Sequence, residues 1–141
     1  MFDKNPVDRL RAWHEFRNTL EHSVDPIQDT IDLYSKASIV NIMMDPYDQS
    51  TWLDPWELLN ENMYCDFATV LGIGYTLSLT DRFSQATKEI HICTNKEVAK
   101  TKYLLYIGEN VIGFDRQQVI SKNNIDKDWI AEIVYHLPLY Q

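Results

Sequence analysis

Residues 64–73 read Tyr-Cys-Asp-Phe-Ala-Thr-Val-Leu-Gly-Ile, and this stretch decides the fold. Apolar side chains recur at helical spacing directly after Cys65, at positions 67, 68, 70 and 71, which predicts a helix that begins at the cysteine. Gly72 and Gly74 are suited to end that helix in a left-handed turn. The stretch therefore predicts a central helix that carries a thiol at its amino-terminal end.

The periodicity changes from helical to alternating after Gly74. Short alternating or apolar runs, separated by polar turns, occur at residues 75–80, 90–93, 103–107, 111–115 and 118–120. Such runs are typical of strands, and residues 108–110 predict a hairpin turn between two of them. We therefore expect an antiparallel sheet of about four to five strands. Residues 129–136 fit either a helix or a strand, and we favour a helix.

Helix-start signals precede this core. Asn5-Pro6 and Asp25-Pro26 each combine a capping side chain with a proline, and apolar residues follow at helical spacing. The two patterns predict a helical hairpin whose first helix covers residues 6–22. Asp54-Pro55, with Glu57 at the reciprocal position of a capping box, predicts a short helix after the acidic surface loop at 45–52.

Length and composition indicate a single α+β domain over residues 1–141, with a helical front at 1–44 and a helix-plus-sheet core at 55–120. The chain has 141 residues and is 45% apolar, which suffices for one core. Cys65 and Cys93 are its only cysteines, and we find neither a disulfide framework nor a secretory signal. We expect a cytoplasmic protein or, as the alternative, a component of a bacteriophage virion.

The net charge of −8 is concentrated in the front half. Residues 1–62 carry twelve acidic side chains against five Lys and Arg, and no basic residue lies between Lys36 and Arg82. Nonspecific nucleic-acid binding requires clustered basic residues and is therefore disfavoured. The longest charge-free apolar stretch, 67–80, is too short to span a membrane. The acidic residues form either a solvated face or a docking surface for a basic partner protein.

Cys65, His91 and Asp115 supply the three groups of a thiol catalytic triad. Acyl transfer by a thiol needs an imidazole that moves the proton and an acid that orients the imidazole. A helix amino terminus favours the thiolate and presents N–H groups to an oxyanion. His91 and Asp115 lie in segments that we expect to form neighbouring strands facing the helix of Cys65.

These elements resemble the core of the transglutaminase-like superfamily over residues 55–116. The resemblance rests on the helix at 64–73, on Glu89-Ile90-His91-Ile92 and on Val111-Ile112-Gly113-Phe114-Asp115. It implies a cysteine at a helix start, followed by histidine and aspartate on successive strands. It further implies amide hydrolysis or acyl transfer to an amine, with Cys65 as nucleophile, His91 as base and Asp115 as its orienting acid.

The sequence departs from the superfamily pattern in ways that leave a second function open. Met63-Tyr64 stands where a glycine is usual, a tryptophan near His91 is absent, and Arg116 follows Asp115 in place of proline. Acidic surroundings also disfavour a thiolate at Cys65. The alternative is a noncatalytic structural or assembly module of a large protein complex, such as a virion component.

In that alternative the three residues have ordinary roles. Cys65 is a small buried apolar residue, His91 is a strand histidine satisfied by a neighbour, and Asp115 is a turn acid. We expect no cofactor, and no metal, because His91 and Cys93 have no second pair of ligands at zinc-site spacing. The expected partners in this alternative are other proteins.

Overall fold

The computed structural model describes residues 1–41 and 44–139. The described residues form four α-helices and one open antiparallel sheet of five strands. The prediction of an α+β fold, with helices at the front and the helix of Cys65 packed on an antiparallel sheet, is confirmed. Residues 42 and 43, which belong to the predicted helical front, lie outside the described ranges.

The predicted helix starts are all present. Helices α1 (Pro6–Leu20) and α2 (Pro26–Tyr34) begin where the side chains of Asn5 and Asp25 accept hydrogen bonds from backbone N–H groups. Helix α3 (Pro55–Glu61) has the complete capping box between Asp54 and Glu57. The first two helices have different main packing partners, α3 for α1 and α4 for α2.

Helix α4 runs from Asp66 to Ser78, so the expected end at the glycines and the expected strand at 75–80 are wrong. Gly72 and Gly74 lie inside the helix, where they leave room for Tyr34 and Leu137. Thr76 and Ser78 donate their hydroxyl protons to carbonyl groups one turn earlier. Within the described ranges, no helix has the length and apolar character needed to cross a membrane.

The sheet is a meander with its last strand added at the far side. Strands β1 (Lys88–Asn95), β2 (Lys100–Ile107), β3 (Asn110–Ile112) and β4 (Ile120–Ser121) follow one another, and β5 (Ile130–His136) pairs with β1. The spatial order is β4-β3-β2-β1-β5. The preference for a helix at 129–136 is thus wrong, because pairing with β1 satisfies this backbone as a strand.

The sheet has two unlike faces. Its inner face packs on α4, and Ile90, Leu105 and Ile112 belong to the same buried cluster as Cys65. On the outer face Cys93, Leu104 and Val111 form a smaller cluster. The chain after β3 covers this second cluster with three side chains, Phe114, Ile125 and Trp129.

Candidate functional site

Cys65 is the N-cap residue of α4 and lies at the inner face of the sheet. Its side chain is 4% exposed, and its Sγ accepts a hydrogen bond of 3.4 Å from the backbone N–H of Ala68. An extended conformation at position 65 directs the sulfur back over the first helical turn. The thiol therefore caps the helix as a serine or threonine would.

His91 lies on the opposite face of the sheet. In the register of β1 and β2 it stands across from Leu104, a member of the outer cluster, and its ring stacks on Tyr106 at 4.0 Å between centroids. The preceding residue, Ile90, shares the inner cluster with Cys65. Because successive side chains of a strand point to opposite faces, the sheet lies between the imidazole and the thiol.

The partner of His91 is a carboxylate of its own strand. His91 Nε2 lies 3.2 Å from Glu89 Oε1, and the other oxygen of Glu89 is 3.6 Å from His136 Nδ1. Glu89 and His136 face each other across β1 and β5. The outer face thus carries a carboxylate between two imidazoles, on the side of the sheet away from Cys65.

Asp115 lies beyond the end of β3, in the loop that leaves the sheet. Its carboxylate accepts hydrogen bonds from the backbone N–H of Gln117 at 2.8 Å and from Gln118 Nε2 at 3.4 Å. The bond from the Gln117 backbone is the main reason that the pKa of Asp115 is lowered. The expectation that His91 and Asp115 occupy neighbouring strands is wrong, because β2 lies between β1 and β3.

Tyr103 of β2, rather than a histidine, shares the cavity of Cys65. The two residues line a cavity of about 380 Å³ together with Phe67, Met44 and Pro46. Burial raises the pKa of the Tyr103 hydroxyl, and the neighbouring Tyr47, Cys65 and Asp66 raise it further. A tyrosine that holds its proton in this way is a poor base. Of the residues described, no histidine lines this cavity.

The only signal in the sequence for Tyr103 is that it alternates with Leu105 and Ile107 in the same strand. Residues 103–107 are apolar throughout, so the run alone does not reveal which residues face inward. In the structure Leu105 and Ile107 join the inner cluster, and Tyr103 has the same phase. Tyr103 was not among the predicted site residues, because the candidate base was expected to be His91 of β1.

A larger groove adjoins the cavity of Cys65. It has a volume of about 550 Å³ and lies between α2, α4, the start of β2 and the loop after β3. Ile31, Val70 and Ile73 are among the apolar residues that line it. Asp66 and Tyr103 line both spaces, so the two form one continuous depression at the amino terminus of α4.

Charged and polar groups border the groove in pairs. Arg116 lies 3.4 Å from Asp66, and both side chains are largely exposed, so this ion pair contributes little to stability. At the other end Gln28 joins α2 to the loop. Its amide donates to the carbonyl of Gln117 at 2.7 Å and accepts from the N–H of Val119 at 3.3 Å.

The structure thus brings only some of the candidate residues together. Cys65 and Asp115 line adjoining parts of the depression, whereas His91 lies across the sheet.

Within residues 1–41 and 44–139, no group of three or more His, Cys, Asp or Glu side chains could hold a metal ion. Comparisons with protein-family models, curated proteins and solved structures found no match.

Proposed function

We propose that this protein is a noncatalytic module that binds other proteins within a larger assembly. The observation that carries the proposal is the separation of His91 from Cys65 by the sheet. Acyl transfer by a thiol requires a base within hydrogen-bond reach of the sulfur. A buried thiol that caps a helix, with a tyrosine in its cavity, suits a structural role better.

The exposed surface of the front half supports binding to proteins. Tyr47 is 51% exposed and Trp56 is 48% exposed, and both stand among exposed acidic side chains. These are Asp45, Asp48, Asp54 and Glu57. Aromatic residues are enriched at protein interfaces because they bury a large area at little entropic cost. The partner expected at this surface is basic, and salt should weaken its binding.

Cysteine-dependent acyl transfer remains the second candidate, on one observation. Cys65 lies at the amino terminus of a 13-residue helix and lines a cavity of about 380 Å³. Helix dipoles and free N–H groups at such a position favour a thiolate and an oxyanion. In this candidate a group other than His91 would have to remove the thiol proton.

The reactivity of Cys65 distinguishes the two candidates. Cys93, whose pKa burial raises to about 11, is replaced by serine so that a single thiol remains. The rate of reaction with iodoacetamide is then measured near neutral pH in the folded protein and in urea. A structural thiol should react at least about tenfold more slowly when folded, and His91→Ala should leave the rate unchanged.

Two further variants make the test specific. Tyr103→Ala opens the cavity beside Cys65 and should accelerate the reaction, whereas Tyr106→Ala removes the ring that stacks on His91 and should not. A folded protein that reacts faster than the unfolded chain would support the enzyme and exclude the structural role of the thiol.

A further inference from the structure

In the groove beside α4, half of strand β2 is paired on one side only. Strand β2 covers Lys100–Ile107, but β3 pairs only with residues 105–107. Within the described residues, no strand pairs with positions 100–104 on that side. Residues 100–103 also line the groove. An unpaired strand edge inside a groove is a template for an added strand.

The hairpin between β2 and β3 shows which backbone groups face the groove. Ile107 and Asn110 close a two-residue turn, so they form a hydrogen-bonded pair, and Leu105 with Ile112 forms the next one. The same alternation directs the N–H and C=O groups of Tyr103 and Thr101 toward the side of β3. Gly113 lies against the carbonyl of Tyr103, which leaves Thr101 as the more open position.

Apolar side chains lie next to this edge. Val70 and Ile73 of α4 and Ile31 of α2 line the groove, and the exposed wall is formed by Ile39, which is 48% exposed. Val40, 38% exposed, lines the adjoining cavity. Ile31, Val70 and Ile73 are already buried, so large aliphatic side chains of a bound strand would pack on them and would chiefly remove the surfaces of Ile39 and Val40 from water.

The charges at the rim favour an uncharged occupant. Arg116 is paired with Asp66, and Asp115 is held by the N–H of Gln117. Two acidic and three basic residues line the groove, namely Asp66, Asp115, Lys100, Lys102 and Arg116, and the ammonium of Lys102 already donates to the carbonyl of Phe114. The opposite charges nearly cancel, so the groove has no large excess of either sign to attract an ionic ligand.

The size of the groove favours a short segment over a second copy of this chain. Its volume of about 550 Å³ falls in the range of sites that enclose a small ligand. A stable interface between two globular proteins buries roughly 800 Å² on each partner. A groove of this size holds only a few side chains, which fits a short segment better.

We propose that the groove binds an extended, uncharged peptide segment of a partner protein, which adds a short strand to β2 at Thr101 and inserts aliphatic side chains against α2 and α4. The inference rests on the proposed function and names the partner's chemistry at one site. The bound segment lies beside β2 in line with β3, in the space that β3 leaves free where the chain turns away from the sheet at Gly113.

The probe is an acetylated, amidated tetrapeptide of alternating leucine and threonine, titrated into the full chain and followed by amide chemical shifts. We expect saturable shifts at Thr101, Tyr103 and Gly113 at millimolar or lower concentration. The same peptide with N-methylated backbone nitrogens keeps its side chains but cannot add a strand. It should bind at least about tenfold more weakly.

Variants of the protein give the matched controls. Ile39→Asp places a charge on the wall of the groove and should weaken binding about tenfold. Val24→Asp introduces the same charge at a fully exposed position and should have no effect. Thr101→Pro removes the N–H on the open side of β2 and should also weaken binding.

Other outcomes would overturn the inference. Equal binding of the N-methylated peptide would make the groove a site for apolar molecules rather than for a strand. Shifts elsewhere, or none at about 10 mM peptide, would exclude the segment from the groove. Shifts that depend on protein concentration without peptide would indicate a second copy. None of these results alters the reactivity of Cys65, so the proposed function is tested separately.

Discussion

The ring of Tyr34 in α2 lies on the bare α-carbon of Gly72 in α4. A Cβ atom at position 72 would stand 2.7 Å from Cε1 of Tyr34. The tyrosine cannot easily move away, because its ring meets those of Phe2 and Tyr64 at centroid distances of 5.4 and 5.5 Å. Gly72 therefore sets how closely α2 approaches the central helix.

Gly72→Ala should lower the free energy of unfolding by about 1–3 kcal/mol through overpacking. Alanine gains about 1 kcal/mol in helix propensity over glycine, so a net loss would show that the contact with Tyr34 dominates. Urea unfolding of the variant measures the difference. In a Tyr34→Leu background the same substitution should cost less, and equal costs in both backgrounds would contradict the contact.

The stability of the protein should fall above pH 10. Burial raises the pKa of Tyr34 to about 12, and it also raises the pKa of Tyr64. Between pH 10 and 12 the unfolded chain loses the Tyr34 proton while the folded chain keeps it. The free energy of unfolding should therefore decrease by up to about 1.4 kcal/mol per pH unit for Tyr34 alone.

Tyr34→Phe is the control for this alkaline effect. The variant loses the 2.9 Å hydrogen bond to Thr76 Oγ1 and should be about 1 kcal/mol less stable at neutral pH. Above pH 10 its stability should fall less steeply than that of the unmodified chain. Lys88 and the other titrating groups are common to both proteins, so parallel curves from pH 8 to 11 would disprove the role of Tyr34.

Asp54→Ala should destabilise the protein by about 1 kcal/mol. Asp54 accepts a bond of 2.8 Å from the N–H of Glu57, and the Glu57 carboxylate accepts one of 3.1 Å from the N–H of Asp54. Thermal unfolding monitored by circular dichroism measures the change. Glu61→Ala, an exposed acid in the last turn of the same helix, is the control and should be neutral or slightly stabilising. Equal losses would contradict the capping role.

A bulge, a charged side chain and a covering side chain block the outer edge of β5 against pairing with another strand. Removing the charge should therefore cause self-association. Glu132 is the extra residue of the irregularity in the pairing of β5 with β1, and Gln49 Nε2 donates to the carbonyl of His136 at 3.2 Å. Bulges, charges and covering side chains are common means of blocking a sheet edge. Glu132→Val should favour dimers or larger species by at least about tenfold in the association constant.

Sedimentation velocity at several protein concentrations measures this association. Glu97→Val removes the same charge from an exposed position in the turn between β1 and β2 and is the control. If the two variants associate equally, a general loss of charge is responsible and the edge of β5 is not.

Local signals in the sequence located most elements correctly. Asn5-Pro6, Asp25-Pro26 and the capping box at Asp54 involve groups within one helical turn of each other, so their outcome does not depend on the rest of the chain. The strands at 90–93 and 103–107 were found because alternating or continuous apolar residues, bounded by turns, need a sheet to bury them.

Sequence-based predictions are wrong where distant groups decide the local structure. Gly72 and Gly74 look like a helix end, but each is a contact point for a residue of another element, Tyr34 and Leu137. Thr76 lies in an alternating run, yet its hydroxyl donates to Gly72 and receives bonds from Trp13 and Tyr34. Residues 130–136 form a strand because β1 offers an edge.

For the candidate triad, too, local features could be predicted from the sequence and long-range features could not. Its residue types and order, with Cys65 at a helix start, could be obtained from the sequence, because a helix start is a local feature. The face of the sheet on which His91 lies could not be predicted from the sequence. It depends on which alternate residues of β1 point toward α4. A shift of one residue in that alternation exchanges the two faces.

By itself, the sequence determined the helix starts, the strand-forming runs, the acidic front and the place of Cys65 at the head of a helix, because each follows from residues close together in the chain. Only the tertiary structure decided that Tyr103 shares the cavity of Cys65, that His91 lies behind the sheet and that half of β2 borders an open groove. These relationships depend on how strands align and pack over long separations, where one residue of register changes the face that a side chain occupies.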